Sequence, residues 1–105
     1  MARFSFVVYS NPAAGREQEY NDWYDNQHLE DVLAIPGVIS ARRFKISATQ
    51  IRESAQPYRY LAIYDIEADD VQSFIKDLML RTASGAINRG TAMSSDVLPV
   101  FWEAL

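Results

Sequence analysis

Residues 58–67 read Tyr-Arg-Tyr-Leu-Ala-Ile-Tyr-Asp-Ile-Glu, and the fold turns on this stretch. Side chains alternate between the two sides of an extended chain, so Tyr58, Tyr60, Ala62, Tyr64 and Ile66 share one side and Leu61 and Ile63 the other. A strand that is apolar on both sides through its middle belongs at the centre of a sheet covered on both faces. Towards the N-terminus, the polar segment Ala48–Pro57 has the length of a loose hairpin loop. Before it, Val38–Ser47 (VISARRFKIS) reads as the strand paired through that hairpin.

Further out, Pro36-Gly37 ends a helix, since Pro disfavours helical geometry at Ile35 and Gly37 can take a positive φ. That helix runs from about Arg16 to Leu33, with Tyr20, Trp23, Tyr24, His28 and Val32 stacked along one side and most of its acidic residues off it. Phe4–Tyr9 (FSFVVY) is a first strand bounded by the turn cluster Ser10-Asn11-Pro12. On the C-terminal side, Asp69-Asp70 supplies an N-cap, and Val71, Phe74, Ile75 and Leu78 follow at helical spacing up to Gly85. Thr82–Ser95 is small, polar and Gly-punctuated, a loop with room for a short helical turn. Val97–Leu105 is a last strand, in which Pro99 favours an edge or a bulge.

The order is β-α-β-β-α-β in a single domain spanning residues 1–105. Right-handed crossovers leave few threadings other than an α+β, ferredoxin-like unit with a four-stranded antiparallel sheet and two helices on one face. The opposite face is also apolar. At about 25 cal/mol per Å² such a surface favours burial, and a second sheet is the economical cover. The expected assembly is a two-fold homodimer through the sheet faces, a dimeric α/β barrel.

The chain has 105 residues, 49% hydrophobic and 23% charged, with a net charge of −4. Its ten basic residues are scattered, with Arg42, Arg43 and Lys45 the one local group, so a nucleic-acid partner is not expected. There is no cysteine, which excludes disulfides, thiolate metal sites and Cys nucleophiles and fits a reducing compartment. Met1–Tyr9 lacks the features of a secretory signal, and no apolar run approaches the roughly 20 residues of a membrane span. A cytoplasmic location and no membrane partner are expected.

The run Tyr20-Asn21-Asp22-Trp23-Tyr24, then His28, Val32, Pro36-Gly37 and Ala41-Arg42-Arg43-Phe44, resembles the EthD-like branch of the dimeric α/β-barrel superfamily. The shared pattern is an aromatic helix start, W-Y-x-x-x-H, a Pro-Gly turn and an A-x-R-F strand. Tyr60–Tyr64 also looks like that branch. The resemblance covers about Phe4 to Asp65, and the remainder by topology. Many relatives have a proline soon after the helix histidine, where this chain has Leu29-Glu30-Asp31. Relatives include lactone isomerases, polyketide cyclases, cofactor-free oxygenases and many proteins with no assigned activity, so the resemblance is compatible with chemistry without a cofactor.

His28 is the one histidine. It can serve as an acid or base near neutral pH, or be a core histidine bonded to a strand residue or a backbone carbonyl. Tyr24 and Tyr64 are the phenols expected beside it as further catalytic groups. Tyr9, Trp23, Tyr60 and Trp102 are candidate linings of a pocket for a flat, apolar ligand; the same rings could simply fill the layers. Six tyrosines bring six hydroxyls, and buried ones need partners. Asn11 could donate to a substrate oxygen or merely make its turn. Arg42 and Arg43 point to opposite faces, so one should be buried or at the dimer interface, where it could hold a carboxylate, or both could simply line a solvated strand edge; Arg42 is taken as the candidate. Asp65 could orient His28 or Arg42, or close the strand end with an ion pair. One His and no Cys make a zinc site unexpected without converging carboxylates, and no Gly-rich phosphate loop or nucleophile motif exists. The haem-binding relatives that the resemblance brings in use an axial ligand in a larger chain, so haem is not expected.

These observations lead to a cofactor-independent enzyme for an aromatic or otherwise apolar substrate. Its chemistry would be isomerase, cyclase, dehydratase or lyase type proton transfer, with His28 as acid/base. The alternatives are a non-catalytic protein that binds or sequesters a small hydrophobic metabolite, and an oligomeric module with no pocket.

Overall fold

A computed structural model describes residues 1–105. Strand β1 (Ala2–Ser10) leads to helix α1 (Glu17–Trp23), which passes through a π-helical turn at Tyr24–His28 into α2 (Leu29–Leu33). Strands β2 (Val38–Lys45) and β3 (Tyr60–Ala68) follow, then α3 (Val71–Ser84) and β4 (Leu98–Glu103). The strands form one antiparallel sheet in the order β2-β3-β1-β4. The two-sided strand Tyr60–Ala68 is interior, and Pro99 lies in an edge strand, where its missing N–H does least harm.

β1 and β3 pair without a slip from Ala2↔Ala68 to Ser10↔Tyr60. Directly opposed residues share a face, so this register aligns Phe4 and Phe6 with Ile66 and Tyr64. With Ala62 and Tyr60 they bury one sheet face against Tyr20, Tyr24, Val32 and Ile35 of the first helical arm and Phe74 of α3. Phe101 on β4 stacks on Phe6 at 4.3 Å and 10°. Asp70 caps α3 through the Ser73 N–H at 2.6 Å, and Gly85 ends it at φ 83°. Gly37 is required at the turn into β2: its φ is 99°, and a Cβ there would lie 2.7 Å from the Glu67 carbonyl.

The opposite face carries Val7, Tyr9, Leu61, Ile63, Arg42, Phe44, Leu98, Val100 and Trp102, as the registers dictate. No helix covers it, and Trp102, Leu98 and Phe44 are 57%, 45% and 43% exposed. Besides Arg42, polar groups interrupt it towards one end: Arg3 pairs with Glu67, and the Asp65 carboxylate accepts from the Ser5 and Ser40 hydroxyls at 2.8 and 3.1 Å.

Three local differences separate this structure from the sequence reading. The first helix is not regular, because the Leu29 N–H reaches Tyr24 O, five residues back rather than four. β2 carries a bulge at Ile39, since Val38 opposes Ile66 while Ser40 already opposes Asp65. β2 stops at Lys45 and β3 starts at Tyr60, so Ile46, Ser47, Tyr58 and Arg59 belong to the connection.

Candidate functional site

The π turn is what assembles the site. Trp23 and His28 are five residues apart, which a regular α-helix would separate by about 140° around its axis. One extra residue in the turn stacks them instead, at 4.6 Å and 27°, with Tyr24 edge-on to His28 at 5.1 Å and 89°. The His28 Nδ1 lies 3.3 Å from the Asn88 carbonyl. A carbonyl only accepts, so in the neutral ring Nδ1 carries the hydrogen and Nε2 keeps its lone pair. Burial draws the His28 pKa below its ordinary 6.5, partly offset by that hydrogen bond and by nearby Asp31. The ring is therefore a free base at neutral pH.

Beside these rings lies a cavity of about 350 Å³ between the helical face of the sheet, the π turn, α3 and the segment 87–97. Fifteen residues line it and eleven are apolar, which suits an apolar ligand. Its buried walls include Phe6, Tyr24, Val32, Tyr64 and Ile87. Trp23 Nε1 is buried with no hydrogen-bond partner, and the buried hydroxyls of Tyr24 and Tyr64 lie beside each other with no well-formed bond to any other group. Leaving such groups unpaired costs about 1–3 kcal/mol each, so the arrangement favours an occupant that accepts hydrogen bonds. Burial raises both phenols, Tyr24 to about 12 and Tyr64 well beyond its usual range, so both stay protonated and can donate.

Of the nine residues singled out in the sequence, His28, Tyr24, Tyr64 and Trp23 line this cavity together. The other five lie elsewhere. Trp102 and Tyr9 alternate onto the uncovered sheet face, where Tyr9 borders a separate groove of about 110 Å³ with Phe44 and Leu61. Tyr60 faces the helices, but its hydroxyl donates to Glu17 at the start of α1. Asn11 accepts from the Arg59 N–H at 2.8 Å and donates to Pro57 O at 3.0 Å, tying β1 to the β2–β3 loop. The Ile39 bulge reverses the alternation, so Arg42 opposes Ile63 on the uncovered face, the side expected to meet a second copy and not the cavity, and Arg43 opposes Ala62 under the helices. Arg43 is thus the covered arginine, 13% exposed, paired with Asp25 at 2.8 Å and 4.4 Å from the Tyr24 ring centre. Asp65 reaches neither His28 nor Arg42, its oxygens being taken by the two serines.

Sequence reasoning missed Ile87, Arg89, Met93 and Val97, which the segment after α3 contributes to the cavity. Main-chain bonds hold this segment in place: Asp31 accepts from the Asn88 N–H at 2.9 Å, and Ser94 N–H bonds Asn11 O at 2.8 Å. The signal that could have found them is an apolar Ile87 and Met93 inside an otherwise small and polar run. No three His, Cys, Asp or Glu side chains converge as metal ligands, and no helix is long and apolar enough to cross a membrane.

No known protein family and no curated protein matches the sequence. Solved structures do match over nearly the whole chain. An EthD-like protein from Ralstonia eutropha JMP134 shares 16% identity with a TM-score of 0.61, covering 99% of this chain and 91% of its own. A dimeric ferredoxin-like protein of unknown function from Jannaschia sp. CCS1 shares 14% identity at a TM-score of 0.61, covering 97% and 99%. An MhuD mutant with two manganese protoporphyrin IX molecules bound per active site shares 14% identity at a TM-score of 0.65, covering 97% and 94%. The fold is therefore ferredoxin-like. It is the fold shared by EthD-like and dimeric α/β-barrel proteins.

Proposed function

We propose that this chain is a cofactor-independent enzyme that moves a proton on an aromatic or otherwise apolar substrate bound between sheet and helices. The observation that carries the reading is the adjacent pair of buried, protonated phenols, Tyr24 and Tyr64, beside a histidine whose Nε2 is a free base. A substrate carbonyl accepting from Tyr24 or Tyr64 would gain acidity at its α-carbon as charge builds on the oxygen. His28 Nε2 would take that α-proton and return it at another position, which is isomerisation, or to a leaving group, which is dehydration or a lyase step. Trp23 and the Asn88 carbonyl keep the imidazole in place throughout. MhuD, which holds a flat macrocycle in its active site, supports the view that this fold accommodates planar ligands.

The test uses a panel of aryl ketones in D₂O, with exchange at the α-carbon followed by NMR. The expected result is exchange by the wild type and none by His28→Gln at a nearly unchanged melting temperature. A second reading is a protein that binds such a compound unchanged, favoured by the tight stacking and tethering of His28, which a structural imidazole would also show. Ligand-induced stabilisation of about 2.7 kcal/mol at a hundredfold excess over Kd, with no exchange, would select it. We also propose that a second copy covers the open sheet face, as the dimeric ferredoxin-like neighbours and exposed Trp102, Leu98 and Phe44 support. The lack of cysteine fits action in the cytoplasm.

A further inference from the structure

The cavity has a polarity along its length. Its inner wall is neutral, ending at the buried Tyr24 and Tyr64, while exposed Met79, Arg89 and Pro99 stand where it meets solvent. Arg89 is the one formal charge in the lining, on a protein whose net charge is −4. No ion pair or hydrogen bond within the chain occupies its guanidinium, although all six ion pairs of the structure use other cations or acids. Its place is set by its neighbours rather than by its own side chain. Asn88 is held at both backbone ends, by Asp31 at 2.9 Å and His28 at 3.3 Å. Gly90, at φ 64°, lies so close to the Trp23 indole that a Cβ would come within 2.6 Å of it, and its N–H bonds Asn88 Oδ1 at 2.7 Å. The backbone of Arg89 is thus anchored on either side to the same helical arm that carries His28.

Resting on the proposed function above, we infer that the ligand is an anion: an aromatic carboxylic acid whose ring fills the apolar cavity and whose carboxylate meets Arg89 at the mouth. A guanidinium offers a planar pair of donors that matches a carboxylate, and beside an apolar wall the pairing is less screened than in open water. The deep end of the same molecule would present a carbonyl or phenol oxygen to the tyrosines. Arg89 is then the residue that chooses among aromatic compounds of similar shape.

The experiment compares benzoate, 2-naphthoate and 3-hydroxy-2-naphthoate with their methyl esters, in a Trp102→Phe background so that Trp23 in the cavity wall is the reporting indole. The expected result is that at least one acid quenches Trp23 and binds roughly tenfold tighter than its ester, with the advantage shrinking as salt rises. Arg89→Gln should erase the difference while leaving the ester's affinity in place, and Arg89→Lys should restore part of it. Equal binding of acid and ester that is indifferent to Arg89→Gln overturns the anion assignment and leaves the cavity reading standing. If no acid or ester perturbs Trp23, the cavity reading falls and this inference falls with it.

Discussion

At the residue scale the site is defined by groups whose needs the chain itself leaves unmet. Tyr64 is fully buried and the neighbouring Tyr24 hydroxyl is the one group its own hydroxyl approaches, so Tyr64→Phe should shift the empty protein's stability by no more than about 1 kcal/mol by urea denaturation, while weakening ligand binding. A larger loss would mean that the hydroxyl is firmly bonded within the chain and not free for a ligand. His28 makes the opposite kind of prediction. Its folded pKa lies below 6.5, so as pH falls the unfolded chain takes up its proton first, and stability drops until the folded imidazole also titrates. Urea midpoints at about pH 5 and about pH 7.5 should therefore differ more in the wild type than in His28→Gln. Any activity that uses Nε2 as a base should decline along the same acidic limb, with its inflection below 6.5.

At the scale of elements, strands and helices were readable where composition and spacing agree. Tyr60–Ile66 announces itself by aromatic and β-branched residues on both sides, and Pro36-Gly37 by conformations that few other pairs adopt. What stayed hidden were departures of a single residue. The bulge at Ile39 leaves no mark in composition, yet it decides which arginine lies under the helices. The π turn likewise cannot be seen in a stripe of threes and fours, although it creates the Trp23–His28 stack. The segment 87–97 has no periodicity to read, and its role depends on contacts with α2 that are distant in sequence. Gly90→Ala tests how firmly that segment is fitted. The left-handed backbone alone costs about 1–2 kcal/mol, and the added methyl must also displace the indole, so both a lower urea midpoint and a changed Trp23 emission are expected. An unchanged midpoint would show that the segment rearranges freely.

At the scale of the whole molecule, the sheet is a wall with helices and cavity on one side and a bare apolar surface on the other. Replacing Trp102 and Phe44 together by Lys places two charges on the bare side. Sedimentation equilibrium at micromolar concentration should show a dimeric wild type and a monomeric variant, and the variant should still bind ligand because neither residue lines the cavity. A monomeric wild type would remove the case for a partner. Strand β1 joins the two sides, for Phe6 and Val8 border the cavity while Val7 between them looks the other way, 8% exposed between Ile63 and Val100. Saturation mutagenesis along β1, scored separately for ligand capture and for self-association, should therefore yield two out-of-step patterns. Even positions would answer to one phenotype and odd positions to the other, so natural variation could retune chemistry at residues 6 and 8 without altering how copies recognise each other.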